Sequence, residues 1–581
     1  MVGEDNNVNF FSDFLIVGAG PAGVQMAYFL EKAGRDYVVL EASATAGSFY
    51  SKFPRQRTMI SINKRFNYFS EADFNLRHDW NSLLSDDPEL LFTHYSKKLY
   101  PDADDIVTYI SDFCEKFHLK IKFNHRVVSI KKDDQGNFVL KTRSGDSFGC
   151  RWLLMATGAV KPHMAPEIKG IDQVEGYHDY VADPSYYENK RVAIIGRGNS
   201  AFEVANSLAG HAAIINILVE KKVKHAWETH FVGDLRAINN TILDMYQLKS
   251  LHATVGFRVI AVEKNASGSF TLLVEEDLPH WKKPGTTRTR ITYDHVICCT
   301  GWKFIDMDIF QENIRPEMDA KNKYPKLDPA WESSVPGLFF IGTAMAARDR
   351  KAASGFIHGF RYNIRTCHRL LENRFFGREL PRKTFALTNE RDLSHLAQFL
   401  IHRLSTVSAL YQMNGYLCDA LVLEGNNAHL YFELPKDFVL QEQPFCGLDQ
   451  LNIITLEYGF HKYPENISPL DFIHPADSEN VGCSAFLHPV IRLFQKGDFR
   501  DEVILGESLV VRYDFYDYEE NVSDVHKHSL MNFFNRQCKV SDKVFDEEKY
   551  LDGTHTPWPE NRVKEVKAQL AEQKTPCKFM I

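Results

Sequence analysis

Residues 13–41 read DFLIVGAGPAGVQMAYFLEKAGRDYVVLE, and this stretch decides the fold. Its apolar start, 13–17, is a strand. Gly18, Gly20 and Gly23 follow at once, then a helix over 24–32 and a second strand over 37–40 that ends at Glu41. Strand, glycine-rich turn, helix and strand make one complete βαβ unit. The glycine spacing has a physical reason. Gly18 permits a tight turn, Gly20 lets a pyrophosphate approach the backbone, and Gly23 lets the helix pack on the strand. The helix N-terminus offers free N–H groups to phosphate. Glu41, eighteen positions past Gly23, is placed to accept hydrogen bonds from an adenosine ribose.

The pattern then repeats. Residues 191–195 form a strand, Gly196-Arg197-Gly198 a turn, 201–208 a helix and 214–219 a strand. Ala201 stands where the third glycine would be, an accepted variant that widens the helix–strand packing slightly. Each unit is followed by short strands and an apolar run into a small-residue turn: Ala156-Thr157-Gly158 after the first, Thr300-Gly301 after the second. Small residues there let the chain pass close to a cofactor or cross between domains. A further buried strand, 337–342, ends at Gly342. The fold class is α/β, with two Rossmann-like dinucleotide-binding domains, the nicotinamide domain inserted in the flavin domain, and an α+β C-terminal domain. The expected boundaries are 1–160 with 295–380 for the flavin, 161–294 for the nicotinamide, and 381–581 for the rest, Pro381 marking the last boundary. Two such sites suit one held FAD and one diffusible nicotinamide.

At the end of the second βαβ strand stand Glu220, Lys221, Lys222 and Lys224. An acid there favours the free ribose of NADH, and basic residues favour the 2′-phosphate of NADPH. Lys222 is the residue expected to meet that phosphate, which makes NADPH the expected partner and leaves NADH open.

Composition excludes several classes. The 581 residues are 44% apolar and 25% charged with a net charge of −8, which argues against bulk affinity for nucleic acid or anionic membrane. No run reaches the ~18 apolar residues of a membrane span. The start, Met1-Val2-Gly3-Glu4-Asp5, has no basic or apolar leader, so a cytoplasmic location is expected. Ten cysteines occur without a C-x-x-C pair, which excludes the usual redox dithiol, and no H-x-x-x-H pair suggests a metal. Cys298 and Cys299 read as buried strand residues. The expected partner is a small-molecule substrate, and a homo-oligomer is left open.

Two polar stretches lack a simple packing reason: residues 61–65, with Asn63 and Lys64, and 227–240, with His230. Their places after the two βαβ units could bring both to the flavin edge. Asn63, Lys64 and His230 are therefore catalytic candidates.

Two dinucleotide sites, Ala156-Thr157-Gly158 between them, and a late Gly342 resemble the flavin-containing monooxygenase superfamily. Residues 74–85, 233–240, 355–362 and 486–490 are similar to the family of FAD-dependent oxidoreductase domain-containing protein 2, and the likeness covers most of 10–495. It implies FAD and a nicotinamide. The animal relative is a lumenal flavoprotein of the endoplasmic reticulum linked to degradation of misfolded glycoproteins, whereas this chain shows neither signal peptide nor C-terminal retention tetrapeptide. Monooxygenases of the superfamily often place an Asn near the flavin in a stretch similar to 82–86. Asp86 stands where that Asn would be, which adds it to the catalytic candidates. The expected activity is an NAD(P)H-dependent flavin monooxygenase acting on a soft nitrogen or sulfur. The alternatives are a flavin reductase or oxidase, and a partner-binding flavoprotein like the relative.

Overall fold

The computed structural model describes residues 9–247, 250–277, 285–459, 486–506 and 522–541. The stretches that carry the expectations about leader and retention signals, 1–8 and 542–581, lie outside them.

The first βαβ unit is β1 (Phe10–Val17), α1 (Pro21–Lys32) and β2 (Tyr37–Leu40). The helix starts at Pro21, three residues before the expected start. Proline suits that position, because its fixed φ is helical and it has no N–H to leave unpaired. α1 is buried along most of its length, with Ala22, Val24, Met26, Ala27, Tyr28 and Leu30 all in the core. β3 (Ile121–Lys122), β4 (Val127–Lys132), β5 (Phe138–Thr142) and β6 (Ser147–Met155) complete a sheet of order β3-β2-β1-β6-β5-β4. The strand Leu338–Phe340, nearly two hundred residues later, lies parallel against β6.

Register makes this sheet useful. Val17 pairs with Leu40 and with Met155, and Met155 pairs with Phe340. The next residue along each strand therefore sits at one carboxyl edge: Gly18, Glu41, Ala156 and Ile341. Ligands of open α/β sheets bind at that edge.

A second parallel sheet has the strand order Ala253–Val255, Ile214–Leu218, Arg191–Ile195, His295–Cys298, Glu175–Gly176. Leu218, Ile195 and Cys298 are in register, so Gly196, Val219 and Cys299 share its carboxyl edge. An antiparallel meander of Arg258–Lys264, Phe270–Asp277 and Thr286–Tyr293 belongs with it. Its inward side chains Leu272, Val274 and Tyr293 join Ala193, Ile195 and Val296 in one core. Lys161–Pro162 and Trp302–Lys303 pair where the chain leaves and re-enters the first sheet.

By their contacts the residues form two compact units. The first, Met1–Arg65 with Asp79–Ile364, contains both parallel sheets. The second takes Phe66–His78 and Arg365–Ile581, so its start falls inside the helix Ile357–Phe376, upstream of Pro381. Its sheet is antiparallel with six strands, in the order Arg382–Ala386, Asn427–Pro435, Leu417–Glu424, Leu451–Tyr458, Leu487–Gln495, Asp498–Ile504. The helix Glu390–Thr406, capped by Asn389 accepting from the Asp392 N–H at 3.1 Å, packs along the helix Val522–Cys538.

A buried ion cluster lies at the centre of this second unit. The Arg403 guanidinium bridges Asp419 and Glu433, and Glu433 also meets Arg365 at 2.5 Å and Arg369 at 3.2 Å. Burial pushes the Glu433 carboxyl up, but the three guanidiniums outweigh it and hold it down at about 2. Its contribution to stability is therefore fully present above about pH 4.5 and is lost as pH falls toward 2. Arg403→Met strands the Asp419 carboxylate in the core and is expected to destabilise this unit by about 3–5 kcal/mol. Urea unfolding followed by circular dichroism at pH 7 measures it, and the loss should shrink on acidification.

Candidate functional site

The first glycine loop is shaped by three different constraints. Gly18 has φ +108°, and a Cβ there would stand 2.6 Å from the Ala156 carbonyl oxygen. Gly23 is tighter still, because its Cβ would be 1.9 Å from the Gly18 carbonyl oxygen. Gly20 differs: nothing lies within 4 Å of where its Cβ would be. Two glycines are thus demanded by the protein's own packing, and the third faces open space at the N-cap of α1. No side chain caps that end of the helix. Its first N–H groups are left for an anion, the arrangement that binds a pyrophosphate.

Glu41 is tied to the same loop. Its Oε2 accepts from the Ala19 N–H at 2.8 Å, and its Oε1 accepts from the Ser43 N–H at 2.8 Å. Thr157 follows Ala156 at the strand end, and Gly158 turns the chain with φ +60°. Gly342, with φ +76°, sits so near the first turn of α1 that a Cβ would be 2.5 Å from that of Ala22. Residues more than three hundred positions apart therefore surround one helix end, and an FAD pyrophosphate fits the cradle at Gly20.

The second loop repeats the geometry. A Cβ on Gly196 would lie 2.3 Å from the Cys299 carbonyl oxygen, as that of Gly18 does from Ala156. Gly198 is the N-cap of the helix Asn199–Leu208 and, like Gly20, opens onto empty space. Ala201 is fully buried in the helix–strand contact. Beyond the strand end, Glu220 and Lys222 are exposed. The Arg197 guanidinium donates to the Lys222 carbonyl at 3.2 Å. The sequence reading passed over Arg197, although a basic middle residue between two glycines was its signal.

A small pocket opens beside this loop, with Ser200, Cys299, Gly301 and Trp302 in its wall. The two lobes of the first unit are laced together nearby. Glu203 accepts from the Tyr177 hydroxyl at 2.7 Å and from the Gln56 N–H at 2.8 Å, and burial pushes its carboxyl up.

The catalytic candidates are not brought together. Asn63 is buried and donates its amide to the carbonyls of Ser96 and Lys98, at 2.8 and 3.3 Å, which holds its own loop. Lys64 is exposed. His230 ends the short helix Ala226–Thr229 with φ +54°, and burial pushes its imidazole down. Asp86 has a different setting. It lies on the surface, paired with Lys32 at 2.5 Å and accepting from the Tyr28 hydroxyl at 2.9 Å. Lys32 is the last residue of α1, about 16 Å of helix beyond Pro21 at 1.5 Å per residue. The pull of those two partners places Asp86 at the far end of the helix from the glycine loop.

Two glycine loops, each at the carboxyl edge of a parallel sheet, are the arrangement of an oxidoreductase fold with two candidate dinucleotide cradles. The model of the pyridine nucleotide-disulphide oxidoreductases matches residues 15–342, more than half of the chain. FAD-dependent oxidoreductase domain-containing protein 2 of Mus musculus is 39% identical over 514 residues, covering 83% of this chain and 76% of the mouse protein. That of Danio rerio is 36% identical over 536 residues, with the same coverage. The chain belongs to the family of FAD-dependent oxidoreductase domain-containing protein 2, within the pyridine nucleotide-disulphide oxidoreductases. A probable indole-3-pyruvate monooxygenase of Arabidopsis thaliana is 30% identical over 217 residues, which covers 36% of this chain and 47% of that one. Among the described residues no helix is long and apolar enough to cross a membrane.

The glycine environments separate a ligand effect from a folding effect. A Cβ at Gly20 meets no protein atom within 4 Å, so Gly20→Val should leave the melting temperature of the flavin-free chain nearly unchanged while abolishing flavin absorbance. Gly23→Ala should lower that melting temperature, since an overpacked contact costs about 1–3 kcal/mol. Normal flavin absorbance in the Gly20→Val protein would remove FAD from this loop.

Proposed function

We propose that the chain is an FAD-dependent oxidoreductase that oxidises NADPH, with the flavin held by 1–160 and 295–380 and the nicotinamide by the inserted 161–294. The observation that carries this reading is the open face at Gly20 and again at Gly198, each at an uncapped helix N-terminus. The residues divide the binding work. Gly18, Gly20 and Gly23 with the first N–H groups of α1 hold the FAD pyrophosphate. Glu41 accepts hydrogen bonds from its ribose hydroxyls, and Ala156, Thr157, Gly158 and Gly342 line the ring's approach. Gly196, Gly198 and Ala201 do the same for the nicotinamide dinucleotide. The bound flavin would supply the two-electron transfer from nicotinamide to acceptor.

We favour oxygen as acceptor, with a soft nitrogen or sulfur of a small molecule as the group oxygenated. The likeness to a probable indole-3-pyruvate monooxygenase supports this reading. Disulphide chemistry is less well served. It needs a thiolate nucleophile, and burial pushes the Cys298 and Cys299 thiols up. A reductase that passes electrons to another acceptor is the second reading, supported by the match to the disulphide oxidoreductases. Stoichiometry of NADPH and oxygen consumption, with hydrogen peroxide and product counted, decides between them. Oxygen consumed without peroxide in the presence of a soft nucleophile supports oxygenation, and turnover that needs a non-oxygen acceptor supports the second reading. Asp86→Asn is expected to leave the peroxide yield unchanged, because the carboxylate is exposed and engaged by Lys32 and Tyr28.

Arg197 and Lys222 together make the second strand end cationic, which suits a 2′-phosphate. Lys222→Ala is expected to raise the KM for NADPH roughly tenfold, as loss of a charge-assisted contact does, and to leave that for NADH nearly unchanged. Arg197→Ala should act in the same direction. Equal losses for both nucleotides would sink the preference.

A further inference from the structure

His358 stands at the start of the helix Ile357–Phe376, with its side chain buried. Neither ring nitrogen makes a well-formed hydrogen bond, the Trp80 backbone being only a weak partner. Two aromatic rings lie nearly parallel to the imidazole. The Trp80 ring stacks on it with centroids 4.3 Å apart and planes at 19°, and Phe356 stacks at 6.0 Å and 23°. The Arg236 guanidinium lies 4.6 Å from the Trp80 centroid. The imidazole already covers one face of that indole, so the guanidinium takes the other. Trp80 closes one face of the imidazole to a ligand, and its polar atoms lie on the edge of the ring.

An unpaired polar atom in a protein interior costs about 1–3 kcal/mol, and native interiors rarely leave one so. A phenylalanine would fill the same stacked slot without that cost. Burial, then the cations of Arg361 and Arg236, push the imidazole well below its ordinary value, with only the Trp80 backbone acting the other way. The ring is neutral at pH 7 and carries one donor and one acceptor.

The two segments that hold this pair are both fastened to the first turns of α1. The Gln25 amide exchanges two hydrogen bonds with the Leu84 backbone, at 2.9 and 2.6 Å, which brings the Trp80 segment alongside. On the other side Gly342 abuts Ala22, and the turn Gly342–Ala347 touches Gly355 through Ala346, three residues before His358. Arg361 locks the two segments by donating to the Ser82 carbonyl at 2.7 Å.

We propose that the edge of the His358 ring is a flavin contact, hydrogen-bonded to the polar pyrimidine edge of bound FAD, with Trp80 and Phe356 fixing its plane. That edge of the flavin carries both an N–H donor and carbonyl acceptors, the complement of a neutral imidazole. The inference rests on the assignment of FAD to the first glycine loop. Trp80, Arg236 and His358 come from three distant parts of the chain, and the polar stretch 227–240 finds a use in it.

The test compares His358→Phe and His358→Gln in the full chain. It reads the FAD dissociation constant by flavin fluorescence, the melting temperature without FAD, and the visible bands of bound flavin. His358→Phe should melt at the same or a higher temperature without FAD and bind FAD at least tenfold more weakly. His358→Gln, which keeps a donor and an acceptor, should recover most of the affinity with shifted flavin bands. Should the Phe variant not fold, the bands of the Gln variant decide. Unchanged affinity in the Phe variant, or affinity and bands identical to the native protein in the Gln variant, would overturn the contact. Native protein that takes up no FAD would instead overturn the cofactor assignment itself, and this contact with it.

Discussion

The Ala156 carbonyl oxygen sits 2.6 Å from the place where Gly18 would carry a Cβ, and much of the first unit depends on that approach. It holds because β1 and β6 are parallel neighbours in a fixed register, Val17 opposite Met155. The register brings Gly18, Glu41, Ala156 and Ile341 to one edge, and the absence of a Cβ lets the loop turn there without pushing the strands apart. Gly196 against the Cys299 carbonyl repeats the constraint in the second sheet. The same steric rule has thus built two phosphate cradles, each completed by a helix N-terminus that no side chain caps.

Between the two cradles the protein uses polar groups where a simple core would use apolar ones. Glu203, on the helix that opens at Gly198, takes hydrogen bonds from Tyr177 and from the backbone of Gln56, a residue of the first lobe. Directional bonds of this kind set one lobe against the other more narrowly than non-directional apolar contact does. In the second unit the ion cluster of Arg365, Arg369, Arg403, Asp419 and Glu433 does similar work. Each buried charge there has a partner, as a low-dielectric interior requires.

Reading the chain as a sequence exposed the glycine loops, because their spacing follows from local backbone sterics and the strand and helix around them follow from period. The expected start of α1, 24–32, was late because Pro21 reads as a breaker when it is in fact a helix-opening residue. The setting of Asp86 was not legible for a different reason. Its position in a motif says nothing of which end of α1 it meets, and Lys32 with Tyr28 decides that. Arg197 was overlooked although it lies inside a recognised motif, since the attention there went to the glycines.

What the sequence alone determined is what neighbours in the chain can impose: two βαβ units, the acid after the first, the lysines after the second, and the small residues at strand ends. These need only steric rules that act over a few residues. The grouping of Trp80, Arg236 and His358, and the contact of Gly342 with Ala22, belong to the tertiary structure. Residues hundreds of positions apart meet only when a sheet's register and a helix's direction have been set. Stacking and burial then give those side chains properties that none of them has in the unfolded chain. His358 is the plainest instance: a lone histidine by sequence, and in the fold a buried, neutral imidazole stacked on Trp80 with its polar edge to offer.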